Sequence, residues 1–170
     1  FKVVHQGRLI FSGPAEELFA NRTLLELLGF QAPPVYRMNE EMHRSALVDL
    51  YPIPRDMAEL RLKFCRMNRR PIGGLRIRKV DKDNVPSILE VHGLLSQGKA
   101  VGYYGSQAKH LLAMTLPTDV RLPGLTGCLD KMIDGREAVL YTEPRLIPAI
   151  MGHINNLAHR YATSIKVMDE

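Results

Sequence analysis

Residues 100–145 read AVGYYGSQAKHLLAMTLPTDVRLPGLTGCLDKMIDGREAVLYTEPR, and this stretch decides the fold. Residues 100–104 form a short run that suits a strand, and 137–141 form a second, of the apolar type buried on both faces. Two helical segments lie between them. Gly105-Ser106 turns the first strand into a helix through Met114, with Ser106 as its cap. Thr126 is placed to cap a helix that ends at Asp134-Gly135. Residues 119–122 read as a weak extra strand. Strands separated by helices of this length call for right-handed crossovers and parallel pairing. The expected class is α/β, a mainly parallel sheet with flanking helices.

The alternation continues on both sides. Upstream, residues 75–80 (LRIRKV) alternate apolar and basic, as a half-exposed edge strand does. A helix follows, with Asp83 or Asn84 as its cap, Pro86 in its first turn, and Ile88, Leu89, Val91 and Leu95 on its apolar side. Downstream, the longest helix is expected from Pro144 or Arg145 to about Ala162. Its stripe of Ile147, Ile150, Met151, Ile154, Leu157, Ala158 and Tyr161 recurs at helical spacing, and Pro148 marks a start or a bend. Residues 164–168 supply a last strand. Ahead of Gly73-Gly74, residues 54–67 place Met57, Leu60, Phe64 and Met67 at three- and four-residue helical steps. Residues 31–51 read as a connector, stiffened by Pro33-Pro34 and holding a short helix over 40–50.

The chain opens differently, with FKVVHQGRLIFSGPAEELFANRTLLELLGFQAPPVYRM at 1–38. Two short strands flank a tight turn at Gln6-Gly7. Pro14 fits a helix's first turn, and Glu16 and Glu17 sit at the positive end of its dipole. Thr23 is placed to cap a second short helix that Gly29 ends. The order QGRLIFSGPAEELF, then a Leu-rich helix, then Pro33-Pro34, resembles the end of an ABC-transporter ATP-binding subunit, particularly that of cobalt/nickel energy-coupling-factor importers. The resemblance covers about a fifth of the 170 residues. It implies that 1–38 are the last hairpin and helices of an ABC nucleotide-binding domain. Beyond them, 39–72 are expected to be a connector and basic helix, and 73–170 an appended α/β domain for regulation or dimerisation, which departs from the minimal family pattern. Phe1 stands where an initiator Met would, so the chain is expected to be a piece of a longer polypeptide. For that parent the resemblance implies ATP and Mg as cofactors. It also implies a homodimer or second ATP-binding subunit and a membrane coupling protein as partners. The place implied is cytoplasmic, peripheral at the inner face of the membrane through those subunits.

The resemblance carries no chemistry onto this piece. ATP hydrolysis in that family needs a Gly-rich loop ending Gly-Lys-Ser/Thr, a Leu-Ser-Gly-Gly-Gln signature, a strand ending Asp-Glu and a switch histidine. Neither the Gly-rich loop nor the signature occurs in the sequence. His5 lies inside the hairpin and is expected to be an exposed strand residue. No catalytic residue is assigned, and this chain alone is not expected to hydrolyse ATP.

The net charge of +5 is unevenly spread, with ten basic residues against four acidic ones over 55–83. That stretch lacks interleaved aromatics and any nucleic-acid motif, so nucleic acid is not an expected partner. A solvated face, a subunit contact or an acidic ligand accounts for it. Cys65 and Cys128 show no metal-like spacing and suit small buried thiols of a reducing cytosol. No run of about 18 apolar residues is present.

Candidate chemistry gathers at loops that a parallel sheet opens on one edge, where ligands of such folds commonly sit. Gly105 and Ser106 head a helix whose free amides suit an anion. Pro123-Gly124-Leu125-Thr126 heads another, and Thr142-Glu143-Pro144 opens on the same side. The expected ligand-binding residues are Gly105, Ser106, Lys109, His110, Thr126 and Arg145, for a small anionic ligand. His92, His110, His153 and His159 are scattered, and no metal site is expected. The rival to the transporter reading is a self-contained α/β domain binding a phosphate- or carboxylate-bearing compound.

Overall fold

In the computed structural model, which describes residues 1–117 and 122–169, the chain divides into two units, Phe1–Leu60 and Arg61–Glu170. The division falls inside the stretch expected as connector and basic helix.

The first unit opens with an antiparallel hairpin of β1 (Lys2–His5) and β2 (Arg8–Ser12). Gln6 and Gly7 both take positive φ, 49° and 77°, as a two-residue hairpin turn of matching twist requires. His5 is half-buried rather than exposed. Two short helices follow, α1 (Ala15–Ala20) and α2 (Arg22–Leu28). Asn21, not Thr23, caps α2: its side chain accepts from the Leu24 N–H at 3.0 Å, leaving Thr23 within the first turn. Gly29 ends α2 in the left-handed conformation. Pro33-Pro34 does not stiffen a connector. Pro34 starts α3 (Pro34–Arg44) at the position where proline's missing N–H costs nothing, so the helix expected over 40–50 lies earlier. Val35, Tyr36, Ile53 and Leu60 form the unit's apolar core, with Phe19, Ala32 and Met42 packed against it. Among the leucines of α1 and α2, Leu18, Leu24 and Leu25 are buried within this fold, whereas Leu27 is exposed.

Helix α4 (Met57–Met67) crosses the division. Its buried side chains are Leu60, Leu62, Lys63 and Cys65, with Glu59 beside them, while Met57 and Met67 are exposed. The apolar stripe expected through Met57, Phe64 and Met67 is therefore misplaced. Lys63 is long enough to hide its stem in an apolar setting, which hydropathy alone does not register.

In the second unit, β3 (Leu75–Lys79), α5 (Ile88–Ser96), β4 (Ala100–Tyr104), α6 (Ser106–Thr115), α7 (Leu125–Ile133), β5 (Ala138–Thr142), α8 (Ile147–Arg160) and β6 (Val167–Asp169) follow in order. A 3-10 turn over Pro144–Leu146 leads into α8. The four strands pair in parallel in the order β4-β5-β3-β6. The α/β class is as the alternation predicts. One face of the sheet, carrying Val101, Val139 and Tyr141, packs with Val91 and Leu94 of α5, with Ala108 and Leu112 of α6 and with Leu116 just after it. On the other face Cys128 of α7 lies so close to Gly102 that a Cβ there would collide with its sulfur.

Three expectations are corrected. First, β3 is not an edge strand but lies between β5 and β6, with Leu75 and Ile77 fully buried. Its alternating arginines mimic an exposed face because Arg78 is neutralised by an ion pair to Glu90. Second, Ser87 caps α5, its hydroxyl accepting from the Glu90 N–H at 3.2 Å. Asp81, whose carboxylate accepts from the Asp83 and Asn84 amides, has already turned those two residues into a separate loop. Third, Gly105 and Gly124, not Ser106 and Thr126, hold the cap positions of α6 and α7, without a capping side chain of their own. The weak strand expected over 119–122 falls, apart from Leu122, outside the described residues.

Candidate functional site

The topology itself marks one edge of the sheet. From β3 the chain crosses through α5 past β5 to reach β4, and from β5 it crosses through α8 past β3 to reach β6. The two connections leave in opposite directions, so the carboxyl ends of β3 and β5 flank a switch point, the usual place for a crevice in such sheets. A cavity of about 290 Å³ opens there, lined by Arg78 and Lys79 from the end of β3, Asn84, Pro86 and Glu90 from α5 and the loop before it, and Tyr141 from β5. Arg78 donates to a Glu90 carboxylate oxygen, and the Tyr141 hydroxyl donates to that same oxygen at 2.7 Å. Burial and the bond to Glu90 push the Tyr141 phenol up to about 12. It is therefore a hydrogen-bond donor throughout the neutral range.

The loops picked out by sequence meet on the same edge, but around a group of the protein's own. Glu143 directly follows β5 and is buried. One carboxylate oxygen accepts from the backbone N–H groups of Gln107 at 2.8 Å and Ala108 at 3.4 Å, at the start of α6. The other accepts from Arg145, at 2.9 Å from Nε and 2.7 Å from Nη2. The positive end of α6 thus already holds an anion. The Arg145 hydrogen bonds and, after them, the two backbone amides hold the Glu143 carboxyl below the usual carboxylate range, against the opposing effect of burial.

Gly105 makes this arrangement possible. Its φ of 101° and ψ of 154° lie in a region essentially reserved for glycine. A Cβ at this position would also stand 2.6 Å from the Glu143 carboxylate and from Leu146.

Of the residues expected at a ligand site, Gly105 and Arg145 are thus drawn to Glu143, while Ser106, exposed, opens the helix whose next two amides Glu143 takes. Lys109 and His110 are exposed on α6, and Thr126 is exposed in the first turn of α7. The residues that line the open crevice were not among those expected. Opposite charges at a strand's end (Arg78) and in the first turn of the next helix (Glu90) were the available signal. For Glu143, the signal was an acid directly after a buried strand with an arginine two residues on.

Other reactive groups are withdrawn from the site. Cys128 is fully buried, and burial pushes its thiol up to about 12; Cys65 is buried with its thiol raised for the same reason. Neither is a ready nucleophile. Within the basic stretch, Arg55 pairs with Glu16, Arg61 with Asp130 and Asp134, and Arg78 with Glu90. Much of its charge therefore serves internal ion pairs. No helix of the described residues is long and apolar enough to cross a membrane. Compared with family models, with curated proteins and with solved structures, the chain finds no match.

Proposed function

We propose that the chain is the C-terminal part of the ATP-binding subunit of an ABC importer, of the cobalt or nickel type, and that its α/β unit regulates or pairs that subunit. The observation that supports this reading is the build of the first unit. A hairpin turns at Gln6-Gly7, a helix is entered through Gly13-Pro14 with Glu16 and Glu17 in its first turn, a second helix ends at Gly29, and Pro34 starts a third. In this reading ATP and Mg bind elsewhere in a longer polypeptide. The partners are a second ATP-binding subunit and a membrane coupling protein, at the inner face of the membrane. Sequencing upstream in the same reading frame tests it. A loop ending Gly-Lys-Ser/Thr and a Leu-Ser-Gly-Gly-Gln signature are expected there, and an in-frame stop immediately upstream would overturn the proposal.

A second reading is favoured by the crevice at the ends of β3 and β5. In it the α/β unit binds a small phosphate- or carboxylate-bearing ligand, whether as the sensor of a transporter subunit or as a domain acting alone. Cationic and hydrogen-bonding side chains converging on an open hollow at a switch point are what such recognition needs.

A further inference from the structure

Resting on the second reading, the identity and exchange chemistry of the ligand follow from Glu90. This side chain is itself an oxyanion, seated on the Arg78 guanidinium and the Tyr141 hydroxyl. Unlike the sequestered Glu143, it stands partly in water: its side chain is 38% exposed and that of Arg78 29%. An ion pair so open to solvent is weakly held, because water and salt compensate either partner when it leaves. The guanidinium fork and the phenol are oriented by β3 and β5, whereas the carboxylate arrives on the flexible stem of a residue in the first turn of α5. Arg78 and Tyr141 are thus a prepared receptor for a planar or tetrahedral oxyanion, and Glu90 is a replaceable occupant.

We propose that the crevice is a binding site for a small organic oxyanion, a phosphate or a carboxylate, which takes Arg78 and the Tyr141 hydroxyl over from Glu90. Lys79 adds a second positive charge at the rim, and Asn84 adds an amide for a hydroxyl of the ligand. The size of the hollow limits the ligand. At about 30 Å³ per water, 290 Å³ holds roughly ten waters, so the bound part has about ten non-hydrogen atoms. A dinucleotide is far too large to be enclosed.

Calorimetric titration of the full chain with glycerol 3-phosphate and with succinate tests the proposal, since both compounds fit that size. The wild type is expected to bind at least one of them. Tighter binding of glycerol 3-phosphate assigns the ligand to the phosphate class, and tighter binding of succinate to the carboxylate class. Arg78→Met should weaken binding about tenfold or more, as loss of a charge-assisted fork does. Glu90→Gln should strengthen it about threefold or more, because the competing charge is gone while a polar side chain of the same length remains. A misfolded variant cannot produce that gain. Lys109→Met, on exposed α6, should leave binding unchanged. Binding of neither compound overturns this proposal and the ligand reading together. Binding that Arg78→Met leaves intact, or that Glu90→Gln weakens, overturns the proposed site while the ligand reading stands.

Discussion

Two carboxylates at the ends of this sheet's strands and helices face the same kinds of partner with opposite outcomes. Glu143 is 3% exposed as a side chain, accepts from the Gln107 and Ala108 amides at the start of α6 and takes two nitrogens of the Arg145 guanidinium. Glu90 shares one oxygen between Arg78 and Tyr141 and is 38% exposed. The first is an internal plug and the second an exchangeable occupant. A helix start with a glycine before it is a good detector of anion-holding geometry, but it says nothing about vacancy. The free anion site expected at Gly105-Ser106 is real as geometry and is filled from within the chain.

The comparison would break most visibly at Gly105. Gly105→Ala forces a Cβ into a glycine-only backbone region and against the plug itself. A loss of about 2–3 kcal/mol in unfolding free energy is expected from backbone strain of this kind. Urea denaturation measures it. A loss below about 0.5 kcal/mol, the level of an indifferent surface change, would mean that Glu143 swings away freely and that the plug is no more fixed than Glu90.

The second test separates the two carboxylates by pH. Because the folded protein holds the Glu143 carboxyl below its ordinary value of 4.5, the stabilising contribution of the charged plug is fully present above pH 4.5. It is lost as the pH falls through the lowered value. Glu143→Gln should therefore lower the Tm at pH 7 and lose part of the acid sensitivity, so that the two proteins' melting temperatures converge on acidification. At pH 7, Glu90→Gln should lower the Tm less than Glu143→Gln does, because its pair with Arg78 stands partly in water. Parallel Tm curves for wild type and Glu143→Gln between pH 7 and pH 3 would contradict the plug.

What was legible in the sequence follows from how local each signal is. The strands of the second unit, and the parallel sheet they imply, were readable because apolar runs such as AVLY at 138–141 and the intervening helices carry their periodicity within a few residues. The position of β3 was not. Arg76 and Arg78 mark an edge by composition, whereas the pairing of Arg78 with Glu90, twelve residues on, helps make an interior place tolerable. The caps failed for a related reason: Ser, Thr, Asp and Asn compete for neighbouring amides. Asp81 and Ser87 divided the lead-in to α5 between them. At α6 the capping oxygen comes from Glu143, thirty-six residues beyond Gln107, where no local pattern can announce it. The edge of the sheet was foreseeable, but its occupant was not.

The smallest effect belongs to the looser of the two carboxylates. Tyr141→Phe removes the hydroxyl that donates to Glu90 and leaves the ring in the core. Because Glu90 can recover a water in its place, the cost at neutral pH should be at the low end for a hydrogen bond, about 0.5–1 kcal/mol. The sign at high pH is distinctive. The folded protein raises the phenol from its ordinary 10.0 to about 12. The stability gained from keeping it protonated is complete below pH 10 and is lost as the pH climbs toward 12. Wild type should therefore lose stability faster than Tyr141→Phe across that window, and the difference between them should shrink or reverse. Absorbance titration near 295 nm should lose one tyrosine transition in the variant, the one at about 12. If the two proteins instead keep a constant gap up to pH 12, the hydroxyl is not held against Glu90. The crevice would then lack the fixed donor that distinguishes it from an ordinary surface ion pair.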